Sequence, residues 1–293
     1  MVVKSVFTQV YGLGRSLLAL SLWCTLIFSG SETLFPPVHM DFLDGESLLV
    51  KLNIFYIFRE NLLVAKVLSS VVLWGVILGW YPRVTGVLHW WLTLNFYSAS
   101  YILEGGDQLM TIATFLLVPV TLLDRRTNHW QQEVMQSPAE LWTGRLALFL
   151  IRLQVAVVYF IAAAGKLIRV AEWRDGTALY YHFNDEVYGA PPYLLHFFNW
   201  IFTSEVTLMA MTWTVLLFEL LMAAALFMNV KIRRKLWLPA VLFHLAIALV
   251  HGLFSFFLVM MGMLVFYLWD PGFRMAFPGV QKTDKHHPAE GVY

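Results

Sequence analysis

Leu146–Gly165 reads LALFLIRLQVAVVYFIAAAG, and Lys166–Trp173 continues it as KLIRVAEW. At about 1.5 Å per residue, the 20 residues of the first stretch cover about 30 Å, the thickness of a bilayer's hydrocarbon core. Ala162, Ala163, Ala164 and Gly165 then allow a neighbouring backbone to come close. Lys166 follows at once, with Arg169, Glu172 and Trp173 behind it at an expected membrane surface. A lysine there has two readings. It snorkels, with its stem in lipid and its ammonium among headgroups. Or it sits in a dry pocket, sheds its proton readily and acts as a base.

Comparable apolar runs recur along the chain. The 293 residues are 59% hydrophobic and 13% charged, where a soluble domain carries about 25% charged residues. The pattern predicts an all-α integral membrane protein. Eight spans are expected, at Tyr11–Ser29, Leu62–Trp80, Val84–Leu103, Leu109–Leu123, Leu146–Gly165, Val206–Met228, Leu236–His251 and Leu253–Trp269. The fourth is short, and His251-Gly252 makes the last two a tight hairpin. Ser47–Phe58, and the stretch from Pro191-Pro192 through His196-Phe197-Phe198-Asn199-Trp200, are candidate interfacial helices. Residues 1–270 form one transmembrane domain and 271–293 a short polar tail. Span one has no clean cleavage site after it and reads as a retained helix, not a signal peptide. Cys24 is the single cysteine and forms no intrachain disulfide. A net charge of +1 gives no reason to expect a nucleic-acid partner.

Positive residues set the orientation. With the N-terminus inside, the inner side holds Lys4, Arg83, Arg125, Arg126, Arg145, Lys231, Arg233, Arg234, Lys235, Arg274, Lys282 and Lys285. The outer side holds Lys51, Arg59, Lys66, Lys166, Arg169 and Arg174. Both termini are therefore expected in the cytoplasm, and Lys166 at the outer end of span five.

Within the spans the charged residues are Arg15, Arg152 and Glu219. The two arginines lie near inner helix ends, where snorkelling or an interhelical bond accounts for them. Glu219 is deeper and must face the bundle interior, be paired or be protonated. Glu104-Gly105-Gly106-Asp107-Gln108 joins spans three and four. It reads as a tight turn, yet it also places Glu104, Asp107 and Gln108 on the same side as Lys166. His244 and His251 lie about 10 Å apart along one helix face, too far to share a metal. No metal site is expected. Lys166, Asp107 and His244 are the candidate catalytic residues; Glu104, Gln108, Glu219 and Trp173 are candidate lining residues of one outward-opening cavity.

Several phrases resemble one family. They are Arg15-Ser16-Leu17-Leu18-Ala19-Leu20, Gly79-Trp80-Tyr81-Pro82-Arg83-Val84-Thr85-Gly86, Tyr159-Phe160-Ile161-Ala162 with Lys166 and Trp173, and Phe243-His244 followed by Gly252-Leu253-Phe254-Ser255. These are similar to the transmembrane region of vitamin K-dependent gamma-carboxylase and its bacterial relatives, the horizontally transferred transmembrane (HTTM) domains. Within that superfamily the chain most resembles the sporulation-delaying protein B group, through Tyr11–Leu18, Gly86-x-x-His89-Trp90-Trp91, Glu104–Gln108 and Glu172-Trp173-x-x-Gly176-Thr177-Ala178. The resemblance implies that Lys166 matches the carboxylase lysine that deprotonates vitamin K hydroquinone, and that His244 matches a carboxylase histidine. It implies a quinone such as menaquinol as cofactor, a secreted antimicrobial peptide precursor as substrate, and a small partner protein of the SdpA type. Two departures bear on the chemistry. Two extra residues separate Lys166 from Glu172-Trp173, and Glu-Gly-Gly-Asp stands where the carboxylase has a histidine. Maturation of a secreted toxin peptide is the expected function. The alternatives are a quinone-dependent carboxylase or epoxidase, and a transporter or immunity protein without catalysis.

Overall fold

The computed structural model describes residues 5–43, 47–131 and 136–271. Among them the regular elements are helices, with one isolated antiparallel bridge between Trp80 and Asn128. Eight long helices form the bundle: α1 Gln9–Phe28, α2 Leu62–Ile77, α3 Pro82–Ala99, α4 Gly105–Leu123, α5 Pro138–Arg169, α6 Glu205–Ala224, α7 Trp237–His251 and α8 Phe254–Leu268. Each overlaps one expected span. Among the described residues, five stretches are long and apolar enough to cross a bilayer: Gln9–Phe28, Arg59–Ile77, Gly105–Leu123, Pro138–Arg169 and Glu205–Phe227. The tail from residue 272, and Lys4, Arg274, Lys282 and Lys285 of the orientation argument, lie outside the described residues.

The third helix stops at Ala99, short of the expected Leu103, and two helices run longer than expected. The fourth span is not short: α4 has 19 residues, because Glu104 and Asp107 cap its first turn instead of forming a turn before it. The fifth is much longer than Leu146–Gly165, at 32 residues. It starts in a capping box, where the Ser137 N–H donates to Glu140 Oε2 at 2.8 Å and the Glu140 N–H donates to Ser137 Oγ at 3.3 Å. It ends beyond Lys166, so Lys166 and Arg169 lie in its last turn, where cations meet the negative end of the helix dipole. The Ser47–Phe58 stretch is two short helices, Leu48–Lys51 and Ile54–Ile57. Asn53 divides them by accepting from the Phe55 and Tyr56 N–H groups. Pro192 starts a helix that runs to Phe202, with Tyr193, Phe197 and Trp200 exposed along it.

The side-chain pattern of α5 shows why these helices suit lipid. Leu146, Phe149, Leu153, Val157, Phe160 and Ile161 are exposed, at helical spacing down one face. Gly144, Ala147, Ile151, Val155, Tyr159 and Ala163 form the buried face. Helix α6 repeats the pattern, with Val206, Met209, Trp213, Leu217 and Leu221 outward and Thr212, Leu216, Glu219 and Met222 inward. A continuous apolar outer face is a poor surface for water and a good one for acyl chains.

The last long helix is the centre of the bundle. Val259 to Leu268 are buried throughout α8, which packs on α1, α4, α5 and α7. A helix apolar on all sides is one that other helices surround. Its closest neighbour is α1. A Cβ on Gly14 would lie 2.3 Å from the Phe266 ring, and one on Gly262 would lie 3.1 Å from Leu18 and 3.2 Å from the Gly14 carbonyl oxygen. Without a hydrophobic drive in lipid, such close backbone approach holds helices together. Gly14→Val is therefore expected to cost about 1–3 kcal/mol through overpacking, read as a lower Tm of the purified protein in detergent. An unchanged Tm would mean that the Phe266 ring swings aside freely.

Candidate functional site

Polar side chains from α5, α6 and α7 meet in the otherwise apolar half of the bundle below the loop that joins α5 to α6. The Lys166 ammonium donates to Glu219 Oε1 and forms an ion pair with it. Glu219 is almost fully buried, at 6% side-chain exposure, and Lys166 is at 25%. The pairing follows from side-chain direction. Helical side chains lean towards the N-terminus, so Lys166 reaches back down α5 and does not extend outward past its end. Glu219 lies fourteen residues into α6 from Glu205, about 21 Å along the axis. The ion pair is thus well below the end of α6.

Trp173 closes it from above. The Lys166 ammonium lies 5.1 Å from the centroid of the Trp173 ring, a cation–π contact. Trp173 is buried with Ala178 and Leu216, a small apolar cluster apart from the main core. A chain of tilted and edge-on ring contacts continues through His182, 5.4 Å from Trp173, to His251, 6.1 Å further on, ring centre to ring centre. His251 Nδ1 lies 2.6 Å from the Tyr188 carbonyl oxygen and ties the end of α7 to this segment. Just outside, Asp185 accepts from the Val187 and Tyr188 N–H groups, and these bonds, with the Tyr188 bond first, hold its carboxyl below the usual range.

One level deeper, the Tyr159 hydroxyl and His244 Nε2 lie 2.6 Å apart, both residues buried. Tyr159 is seven residues before Lys166 on the same helix, and the Glu219 carboxylate is within electrostatic reach of it. The rings of Phe218 and Phe243, the neighbours of Glu219 and His244 in sequence, meet at a tilt with centroids 4.9 Å apart. Among the described residues, Glu219 Oε2, His244 Nδ1 and Thr212 Oγ1 are buried and have no hydrogen-bond partner. Unsatisfied buried polar atoms are rare in folded proteins.

Lys166, Glu219, Trp173 and His244 thus fall in one neighbourhood. Asp107 and Glu104 hold a different post. The Glu104 N–H donates to Asp107 Oδ2 at 2.8 Å, so Asp107 caps its own helix. Glu104 accepts from Ser255 Oγ at 3.1 Å at the start of α8. Burial pushes the Glu104 carboxyl above its usual range, against the bonds from Ser255 and the Phe256 N–H. Phe256 is the link between the two groups, since its ring meets His244 at 5.7 Å and lies against Gly106. Gln108 is exposed. No hydrogen bond joins Lys166 to Asp107. Tyr159 was the residue missed; it lies in the quoted phrase, but its seven-residue spacing from Lys166 was the only signal for it.

A second polar cluster occupies the opposite end. Arg15 is buried and meets His129 Nδ1 at 3.1 Å and Thr85 Oγ1 at 3.3 Å. Guanidinium only donates, so Nδ1 is the acceptor and Nε2 carries the proton towards Ser16 Oγ, 3.4 Å away. Burial first, then Arg15 and Arg126, hold the His129 pKa down to about 2 and keep the ring neutral. Arg126 is buried against Asp124, with Nε and Nη2 each 2.8 Å from a carboxylate oxygen. Arg152, also within a span, donates to the Phe266 carbonyl of α8 and to the carbonyl of Trp269, which caps its C-terminus. All three in-span charges therefore make interhelical bonds.

Comparison with known proteins gives two relatives. Sporulation-delaying protein SdpB of Bacillus subtilis (strain 168) is 34% identical over 267 residues, 89% of this chain and 81% of that protein. The uncharacterized protein YitO of the same organism is 34% identical over 295 residues, 98% of this chain and 94% of that protein. No protein-family model and no solved structure matches.

Proposed function

The chain belongs to the SdpB family, and on that premise we propose that it is a multi-pass membrane protein that matures a secreted antimicrobial peptide. Its eight long helices cross the bacterial cytoplasmic membrane, with both termini inside and the 170–204 segment outside. The working site is the neighbourhood of Lys166, Glu219, Tyr159 and His244. A small partner protein of the SdpA type completes the machinery. Lys166 acts there as a base on the peptide precursor, as the resemblance to the carboxylase lysine suggests; a bound quinone belongs to that same resemblance.

One observation carries the reading. Polar groups inside a membrane are costly and gather where they work, and here an ion pair and a phenol–imidazole pair converge with buried polar atoms left unpartnered. At the other end the Arg126–Asp124 pair leaves neither carboxylate oxygen without a donor. The test is deletion of the gene in a strain that releases the peptide. Mature peptide is expected to vanish from the medium while its precursor accumulates, and a plasmid copy to restore it. Wild-type release from the deletion strain would end this reading.

Orientation has its own test. In a Cys24→Ser background, a cysteine replacing exposed Gly105 is expected to react with an impermeant maleimide on whole cells. One replacing exposed Lys231 is expected to react only after lysis. The reverse pattern would invert every assignment of sides.

A further inference from the structure

We propose that the Glu219–His244 neighbourhood is a subsite for a secondary amide group, held by one acceptor and one donor that the protein leaves unused. This rests on the reading of that neighbourhood as the working site, and it names the chemistry of what binds there.

The argument is one of hydrogen-bond accounting. The Tyr159 hydroxyl has a single partner, His244 Nε2, at 2.6 Å. Suppose neutral His244 carried its proton on Nε2. The phenol would then accept, its own buried proton would have no acceptor, and Nδ1 would be a bare lone pair. Placing the phenol proton towards Nε2 satisfies both atoms and puts the histidine proton on Nδ1. A doubly protonated ring also carries a proton on Nδ1. In either state Nδ1–H is a donor, buried to 3% exposure, with no partner among the described residues.

Glu219 supplies the complement. Its Oε1 accepts from the Lys166 ammonium, and its Oε2 is a buried acceptor with no partner among the described residues. The two free atoms belong to side chains that both bond to α5, through Lys166 and Tyr159, and whose neighbours Phe218 and Phe243 are in tilted ring contact. A group that suits both must accept from Nδ1–H and donate to Oε2. A secondary amide does both, through its carbonyl oxygen and its N–H. An ester, a ketone or an oxidised quinone only accepts, and would leave the Glu219 oxygen desolvated and unpaired. A peptide backbone offers this group at every residue, and an Asn or Gln side chain offers the related primary amide.

The test uses three probes of nearly equal size on the full-length protein in lipid nanodiscs: N-methyldodecanamide, N,N-dimethyldodecanamide and methyl dodecanoate. Binding is followed by tryptophan fluorescence, with Trp173 next to the site, and by the shift in Tm. The N-methyl amide is expected to bind about tenfold or more tightly than the other two, the effect of one unmade bond to a buried charge. Glu219→Leu is expected to erase that preference, and Phe160→Ala on the lipid face to keep it. If Glu219→Leu does not fold, the three-probe comparison on the wild-type protein still decides. Equal binding of all three, no binding of any, or tighter binding of a menaquinone analogue would overturn the proposal. The readout needs no peptide release. An amide preference without any effect of gene deletion on release would leave the subsite standing and remove the proposed function.

Discussion

Lys166→Arg is expected to insert and accumulate like the wild-type protein and to release at least about a hundredfold less mature peptide. General acid–base steps contribute about 10²–10⁴ in rate, and arginine cannot lose a proton in the biological range. The substitution keeps what an anchor needs. A guanidinium pairs with Glu219 and stacks on Trp173 as readily as an ammonium does. Lys166→Met is less informative, because it leaves Glu219 buried without a counter-charge and mixes folding with chemistry. Immunoblots give the protein level and mass spectrometry of the medium gives the peptide. Full release by Lys166→Arg would make Lys166 an anchor and leave the ion pair a structural one.

The helices were legible because lipid imposes length and composition on each segment separately. Span positions follow from runs of apolar residues, and all eight long helices lie where those runs do. Their ends were less legible, since capping depends on one or two polar residues. Glu104 and Asp107 read as a turn and proved to be the first turn of α4. Lys166 read as the end of a helix and lies within its last turn. Which helix is central was hidden. Val259–Leu268 differs little in composition from Leu236–His251, and only packing shows that α8 is surrounded on all sides. The site was legible in part. Lys166 and Glu219 each stood out as a charge in an apolar run, but nothing in one dimension says that residues 53 positions apart pair with each other. At the other end, Arg126 counted only as an inner-side positive charge, and Asp124 and His129 carried no reading. A loop that folds back under α1 buries all three, and hydropathy carries no signal for that.

That loop gives the second large effect: Asp124→Ala is expected to destabilise the fold by about 3–5 kcal/mol. Side-chain exposure of Arg126 and Asp124 is 3% and 0%. Arg126 donates to both carboxylate oxygens and also, through Nη1, to the Phe7, His129 and Gln131 carbonyls at 3.0–3.2 Å. It thereby fixes the entry to α1 against the loop that carries His129, the acceptor for Arg15. Removing Asp124 strands a guanidinium in a dry site, facing carbonyls that cannot neutralise it. The expected readout is a lower Tm in detergent and early tryptic cleavage, at Arg125 and Arg126, of a loop the intact fold protects. A double substitution, Asp124→Leu with Arg126→Met, separates charge from packing. It removes both ions together and is expected to recover much of the lost stability, since isolated buried charge costs more than a missing pair. Recovery that falls short measures the three carbonyls left without donors. If Asp124→Ala alone stays within about 1 kcal/mol of wild type, a value usual for exposed pairs, the cluster is open to water and does not hold α1 in place.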